Sequence, residues 1–216
     1  MGFFDPLIKQ LRKPTGWLGL WTAKAMNQAH SKLTNWGLSH IQINNDDTIL
    51  DIGCGGGRTI NKLAKIADMG MVYGIDYSDE SVRVSRKTNK KFIKKGLVDI
   101  QKGNASSLPY SDNHFDLITA IEAYYYWPDL DQAMKEILRV LKPGGILIII
   151  GALYKNSKFS ARHQKLVKNL VTKLNLHYHS PEELRDVFSK TGYKDIKVDE
   201  NYKRGMICGY GKKYDT

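Results

Sequence analysis

The sequence is short of cysteine, of long apolar runs and of acids relative to bases, and each shortage removes a class of protein. Its 216 residues contain two Cys, at 54 and 208, and neither belongs to a C-x-x-C pair. That excludes a disulfide framework and a zinc ribbon, and no metal site is expected. No stretch reaches the roughly 18 apolar residues that a membrane-spanning helix needs. The opening residues lack a secretory pattern, because Asp5, Pro6, Lys9, Arg12 and Pro14 interrupt every apolar stretch. A reducing, cytoplasmic setting is therefore the expectation. There is no low-complexity tract and no repeat of about 20–50 residues, so solenoids and propellers are excluded.

Acids are outnumbered: 22 Asp plus Glu face 33 Lys plus Arg, for a net charge of +11. Such a surplus can mark a nucleic-acid or anionic-membrane partner. However, 25 of the 33 cations are Lys and only 8 are Arg, whereas phosphate and base recognition leans on the bidentate Arg fork. The surplus reads as a solvated coat, and nucleic acid is not the expected partner. Near the start, Phe3, Phe4, Leu7, Ile8 and Leu11 recur at helical spacing opposite Lys9, Arg12 and Lys13. Such a stripe suits packing on its own domain and also peripheral contact with a membrane surface. Monomer and homodimer both remain open.

What is present is alternation. Strand-like runs are expected at 48–52, 71–75, 98–102, 115–121 and 146–150, separated by helical patterns over 59–69, 78–95 and 130–141. Pro143-Gly144-Gly145 reads as the turn before the fifth strand. Five strands divided by helices predict a buried parallel sheet built by right-handed crossovers. A basic helical insertion follows at about 155–178. Ser180-Pro181-Glu182-Glu183 is a strong helix start, with a capping residue, Pro at the first position and acids in the first turn. Short strands at 195–198 and 206–210 suit an antiparallel hairpin at a sheet edge. The expected fold is α/β: a Rossmann-like seven-stranded sheet, mostly parallel, helices on both faces, with residues 1–45 as a helical cap and 46–216 as the main domain.

The decisive stretch runs from Ile49 through Asp51, Gly53, Cys54, Gly55 and Gly57 to Arg58. A strand entering glycines and then a helix lets a ligand approach the backbone, with helix amides pointing at it. A dinucleotide fingerprint beginning at Gly53 requires its third Gly at 58, which is Arg58. A Walker loop fails too, because no G-K-[ST] follows.

The residues spell D-x-G-x-G-x-G, and over about residues 45–211 the chain resembles the class I methyltransferases that use S-adenosylmethionine. That resemblance implies a cofactor loop made of Asp51, Gly53, Cys54, Gly55 and Gly57. An acid beside the loop suits a cofactor with a cationic sulfur, where a pyrophosphate would be repelled. Asp76, with Tyr77 beside it, ends the second strand about 20 residues on, where an acid accepts from both ribose hydroxyls. Asn104 and Ala105 take the adenine position; Asn104 departs from the usual Asp, although its amide oxygen can still accept from the adenine amino group. Ile121 stands at the rim where cofactor and acceptor meet.

Candidates for chemistry are sparse. Methyl transfer from a sulfonium is an in-line displacement, so positioning and water exclusion dominate, with a base needed only when the acceptor loses a proton. Glu122 follows the fourth strand and is a candidate proton acceptor or cofactor contact. Tyr124-Tyr125-Tyr126-Trp127 come next, and Tyr125 is the candidate among rings that line a cleft or pack in the core. In the cap, Asn27, His30, Trp36 and His40 are the polar and aromatic groups most able to reach over the site, and His30 is a possible base because the reference pKa of histidine lies near neutrality. No N-P-P-Y motif, Pro-Cys pair or third Cys is present, which marks down the amino-directed DNA, cytosine C5 and arsenite branches. The organisation is similar to the quinone-pathway and small-molecule branch, implying S-adenosylmethionine as cofactor and a small organic acceptor. An RNA or protein methyltransferase using the basic helix at 83–95, or a non-catalytic cofactor-binding module, are the rivals.

Overall fold

The computed structural model describes residues 31–155, 161–174 and 176–214. The expected amphipathic stripe of the first dozen residues, together with Asn27 and His30, lies outside them. The chain divides into two compact units, one ending at Asn104 and the other beginning at Ala105. Seven strands make one sheet, and every strand pair that is resolved is parallel except those made by the last strand.

In the first unit, a short helix α1 (Ser31–Leu38) precedes β1 (Thr48–Ile52), α2 (Arg58–Ile66), β2 (Met71–Asp76), α3 (Asp79–Thr88), α4 (Lys90–Lys94) and β3 (Val98–Lys102). The strand order is β3-β2-β1. The apolar run of β1 has residues 49–52 all buried, as expected of a parallel strand covered on both faces. Helix α2 turns Ile60, Leu63 and Ala64 inward. Gly74 on β2 is small for a reason: a Cβ there would overlap the Ile60 side chain and sit 3.3 Å from the Cys54 sulfur. The basic segment expected as one helix over 78–95 breaks at Asn89, because that side chain is fully buried and bonded elsewhere.

In the second unit, β4 (Phe115–Ile121) is followed by a 3₁₀ turn (Tyr124–Tyr126), α5 (Leu130–Val140), β5 (Leu141–Gly151), α6 (Ala161–Leu174), α7 (Pro181–Thr191), β6 (Lys194–Asn201) and β7 (Met206–Lys212). The order here is β4-β5-β7-β6, with β4 and β5 parallel and β7 antiparallel to both of its neighbours. The expected edge hairpin is present and longer than its apolar core. The fifth strand begins at Leu141, not at residue 146, since Leu141 already pairs with Phe115. The Pro143-Gly144-Gly145 segment is a bulge in that strand, held where Lys213 and the two glycines exchange backbone bonds at 2.8 and 3.0 Å. Helix α7 has the expected start: Ser180 accepts from the Glu183 amide and Glu183 returns a bond to the Ser180 amide. Among the described residues, no helix is long and apolar enough to cross a membrane.

Candidate functional site

The glycine loop is built from the end of β1. Gly53 and Cys54 both donate to the Ile75 carbonyl, at 2.8 and 3.0 Å, and Gly57 donates to the Cys54 carbonyl at 2.9 Å. Gly53, Gly55 and Gly57 have φ of 74, 51 and 78°, left-handed values that other residues resist. Their surroundings differ. Among the described residues, a Cβ on Gly55 would meet nothing nearer than the Gly53 carbonyl at 4.0 Å, so the loop there is open toward them. A Cβ on Gly57 would overlap Ser85 and lie 2.6 Å from Asn89 Nδ2. Gly55 thus leaves backbone accessible to a ligand, whereas Gly57 lets α2 start against α3.

Asn89 is the residue of this unit that sequence reading missed. It is 0% exposed, and its Nδ2 donates to the carbonyls of Gly57 (2.8 Å) and Ser85 (3.0 Å), while Asn61 donates to its Oδ1. One side chain thereby clamps the loop to α3. A lone Asn in a basic run carries no local signal of this, because its partner is 32 residues away.

Asp76 closes the loop. Its Oδ2 accepts from the Gly55 amide and its Oδ1 from the Ser78 amide, both at 2.9 Å. Burial raises its pKa above the usual carboxylate value, against the opposing pull of those amides and of Ser81. Hydrogen bonds have not fully offset the desolvation of this carboxylate. A carboxylate offers about four acceptor sites, so room remains for a donor hydroxyl. Asp51 is also buried, at 2% exposure. The Cys54 thiol is buried, and burial, then Asp76 and Asp51, push its pKa up; it lies 3.7 Å from Ser85 Oγ as a packing group. Open backbone at Gly55 beside two buried acids fits a ligand carrying hydroxyls and positive charge, as S-adenosylmethionine does. Tyr77 is exposed at the end of β2, and Asn104 is exposed.

In the second unit, Ala105 is buried and Ile121 half-buried. Glu122, just past β4, has a φ of 54°, a strained value for a non-glycine residue. Its Oε1 accepts from the Ala152 amide and from Tyr125 Oη, the latter at 3.0 Å, and Tyr125 Oη accepts from the Leu153 amide at 3.0 Å. Two of the candidate catalytic residues, Glu122 and Tyr125, are thus hydrogen-bonded to each other and to the chain leaving β5. A Cβ on Gly151 would overlap Tyr125 Oη, so that strand must end in glycine for the ring to fit. Burial and then Glu122 raise the Tyr125 pKa, so its phenol stays protonated.

Beyond this knot lies a cluster with no sequence motif. Tyr124 is 0% exposed and its ring lies 6.0 Å from that of His179, which in turn stacks on His177 at 6.1 Å. His177 is held by Trp127, its Nε2 lying 2.7 Å from that carbonyl. The aromatic run was visible in the sequence; the histidines come from more than 50 residues later, and only the fold brings them to it. Of the cap residues, His40 caps α1 through the Trp36 and Gly37 carbonyls, at 2.9 and 3.1 Å, with its ring edge-on to Trp36.

Residues 50–149 match the family model described as a methyltransferase domain. The chain is 26% identical over 202 residues to a demethylmenaquinone methyltransferase of Shouchella clausii, covering 84% of each. It is 39% identical over 114 residues to the Symbiobacterium thermophilum demethylmenaquinone methyltransferase and 33% over 168 residues to an O-methyltransferase of Pyrenophora dematioidea. Those two matches span 45% and 60% of the relatives' own lengths, and 52% and 74% of this chain. Among solved structures, a SAM-dependent methyltransferase from Aquifex aeolicus superposes with a TM-score of 0.69 at 23% identity, covering 89% of this chain and 97% of that one. Human N-acetylserotonin methyltransferase in complex with SAM gives 0.74 at 17% identity, covering 92% and 56%.

Proposed function

Because the chain belongs to the class I S-adenosylmethionine-dependent methyltransferases, we propose that it transfers a methyl group from S-adenosylmethionine to a small organic acceptor by in-line displacement. The observation that carries this reading is the pairing of the Gly55 amide with the Asp76 carboxylate beside open backbone. In it the cofactor, when bound, supplies a sulfonium methyl, and the chain positions it. Asp76 accepts the ribose hydroxyls with Tyr77 alongside. Asp51 and the backbone of Gly53, Cys54 and Gly55 hold the amino acid end, with Gly57 setting the loop's shape against α3, while Asn104, Ala105 and Ile121 flank the adenine and the rim. In the second unit Glu122 and Tyr125 act together as a rigid positioning pair, since each already engages the other. Catalysis then rests on orientation and on keeping water out. His30 remains a candidate base from the N-terminal segment.

The relatives' names, which include quinone, O-methyl and sterol methyltransferases, support a small acceptor. The enzyme is read as cytoplasmic, monomeric or homodimeric. The RNA-directed alternative loses ground at the basic helix: Arg83 is committed to Glu80 and Arg86 Nε donates to the Ile100 carbonyl at 2.8 Å. Incubation with methyl-labelled S-adenosylmethionine and a panel of hydroquinones, phenols and sterols tests the reading. Label should move into an organic-soluble product. Binding of S-adenosylhomocysteine without any transfer favours the non-catalytic module, and label moving into RNA or protein favours the macromolecular rival.

A further inference from the structure

Among the described residues of the second unit, Tyr124 Oη and His179 Nδ1 are buried polar atoms with no hydrogen-bond partner. Tyr124 is 0% exposed as a whole. Such atoms are uncommon, because burying a polar group unpaired forfeits its hydration with nothing in return. The two rings lie 6.0 Å apart at a tilt of 31°. Tyr124 stands three residues past the end of β4, and the chain leaving β5 holds His179 in place, with the Lys155 amide donating to its carbonyl at 2.9 Å. Both therefore sit by the carboxyl ends of adjacent parallel strands, where open α/β sheets take their ligands.

Resting on the methyltransferase reading above, we propose that Tyr124 Oη and His179 Nδ1 bind the hydroxyl of a phenolic or enolic acceptor, and that His179 removes its proton. In the step, the acceptor's O–H bond breaks and the proton goes to Nδ1 of a neutral imidazole protonated on Nε2. The oxygen's electron pair forms the new bond to the methyl carbon as the carbon–sulfur bond breaks, giving a methyl ether, S-adenosylhomocysteine and an imidazolium. Tyr124 donates to the same oxygen and orients it.

The groups facing His179 agree with this role. His177 stacks on it, and Lys155 and Glu183 pair at 2.8 Å beside it. Burial first, then His177, lower its pKa below the usual value; Lys155 also lowers it and Glu183 opposes. The ring is thus neutral at physiological pH and able to accept. His177 does not compete, because its Nε2 is already engaged by the Trp127 carbonyl.

The probe is 4-nitrophenol, which absorbs visible light only as the phenolate, added to the full chain in complex with S-adenosylhomocysteine. Bound probe should be more ionised than free probe near pH 6, and that excess should fade as pH falls through the titration of His179. His179→Asn and His179→Gln should abolish the excess, and Tyr124→Phe should weaken probe binding about fivefold. Each variant is checked for wild-type affinity toward S-adenosylhomocysteine, and the wild-type pH profile stands even where a variant fails to fold. If S-adenosylhomocysteine does not bind the wild type, the methyltransferase reading itself fails. If it binds, but nitrophenol does not, or ionises equally with and without His179, only the Tyr124–His179 assignment is overturned.

Discussion

Two glycines two residues apart should fail in opposite ways when replaced by Ala. Both have left-handed φ, 51° at Gly55 and 78° at Gly57, which costs a residue with a Cβ about 1 kcal/mol or slightly more. At Gly55 the added methyl enters open space, so that strain is the whole cost. A loss of about 1 kcal/mol lowers the melting temperature of a chain this size by roughly 2–4 °C. At Gly57 the methyl overlaps Ser85 Oγ and comes within 2.8 Å of the Ser85 Cα, a backbone atom that cannot swing aside. Overpacking adds about 1–3 kcal/mol to the strain, and the Asn89 clamp on the Gly57 carbonyl is disturbed as well. Gly57→Ala should therefore melt roughly 5–15 °C below wild type. The binding result is inverted. Gly55→Ala, nearly as stable as wild type, should lose most of its affinity for S-adenosylhomocysteine in a calorimetric titration, since the methyl occupies the ligand's approach. Thermal unfolding and calorimetry on both variants check this. Unimpaired binding by Gly55→Ala, or wild-type stability in Gly57→Ala, refutes the separation of a ligand-facing glycine from a packing glycine.

Asp76→Asn should weaken S-adenosylhomocysteine binding about tenfold or more, because an amide group replaces one acceptor oxygen; titration calorimetry measures it. Tyr125→Phe strips the Leu153 amide of its acceptor and should destabilise the protein by about 1–3 kcal/mol in urea unfolding. Acid should also reveal His179. Its pKa is lower folded than unfolded, so the unfolded chain takes up the proton first and stability declines as pH falls below about 6.5. That decline should be shallower in His179→Asn.

The sheet was legible in the sequence wherever strands were uniformly buried. The apolar runs ending in Ile52 and Ile121 give their strands at the observed bounds, because a strand covered on both faces tolerates little else. Polar edges were harder. Strand β6 extends through Asp199, Glu200 and Asn201, since an edge strand needs no apolar pattern to be held by its neighbour. The break in the basic helix at Asn89 and the bulge at Pro143-Gly144-Gly145 depend on partners 32 and about 70 residues away, beyond any local signal. The site divides in the same way. The glycine loop and Asp76 form a contiguous pattern with fixed spacing, and the fold brings Asp76 onto the Gly55 amide. His177 and His179 belong to no motif, and only the chain's return after α6 sets them beside Tyr124.

The loop of Gly53 and Gly55, closed by Asp76, is proposed as the cofactor cradle. A crystal structure of the full chain grown with S-adenosylhomocysteine tests it most directly. The ribose hydroxyls should lie within hydrogen-bond distance of the Asp76 carboxylate and the amino acid end of the ligand over the Gly55 backbone. A ligand bound elsewhere, or a loop that stays empty at saturating ligand concentration, contradicts it.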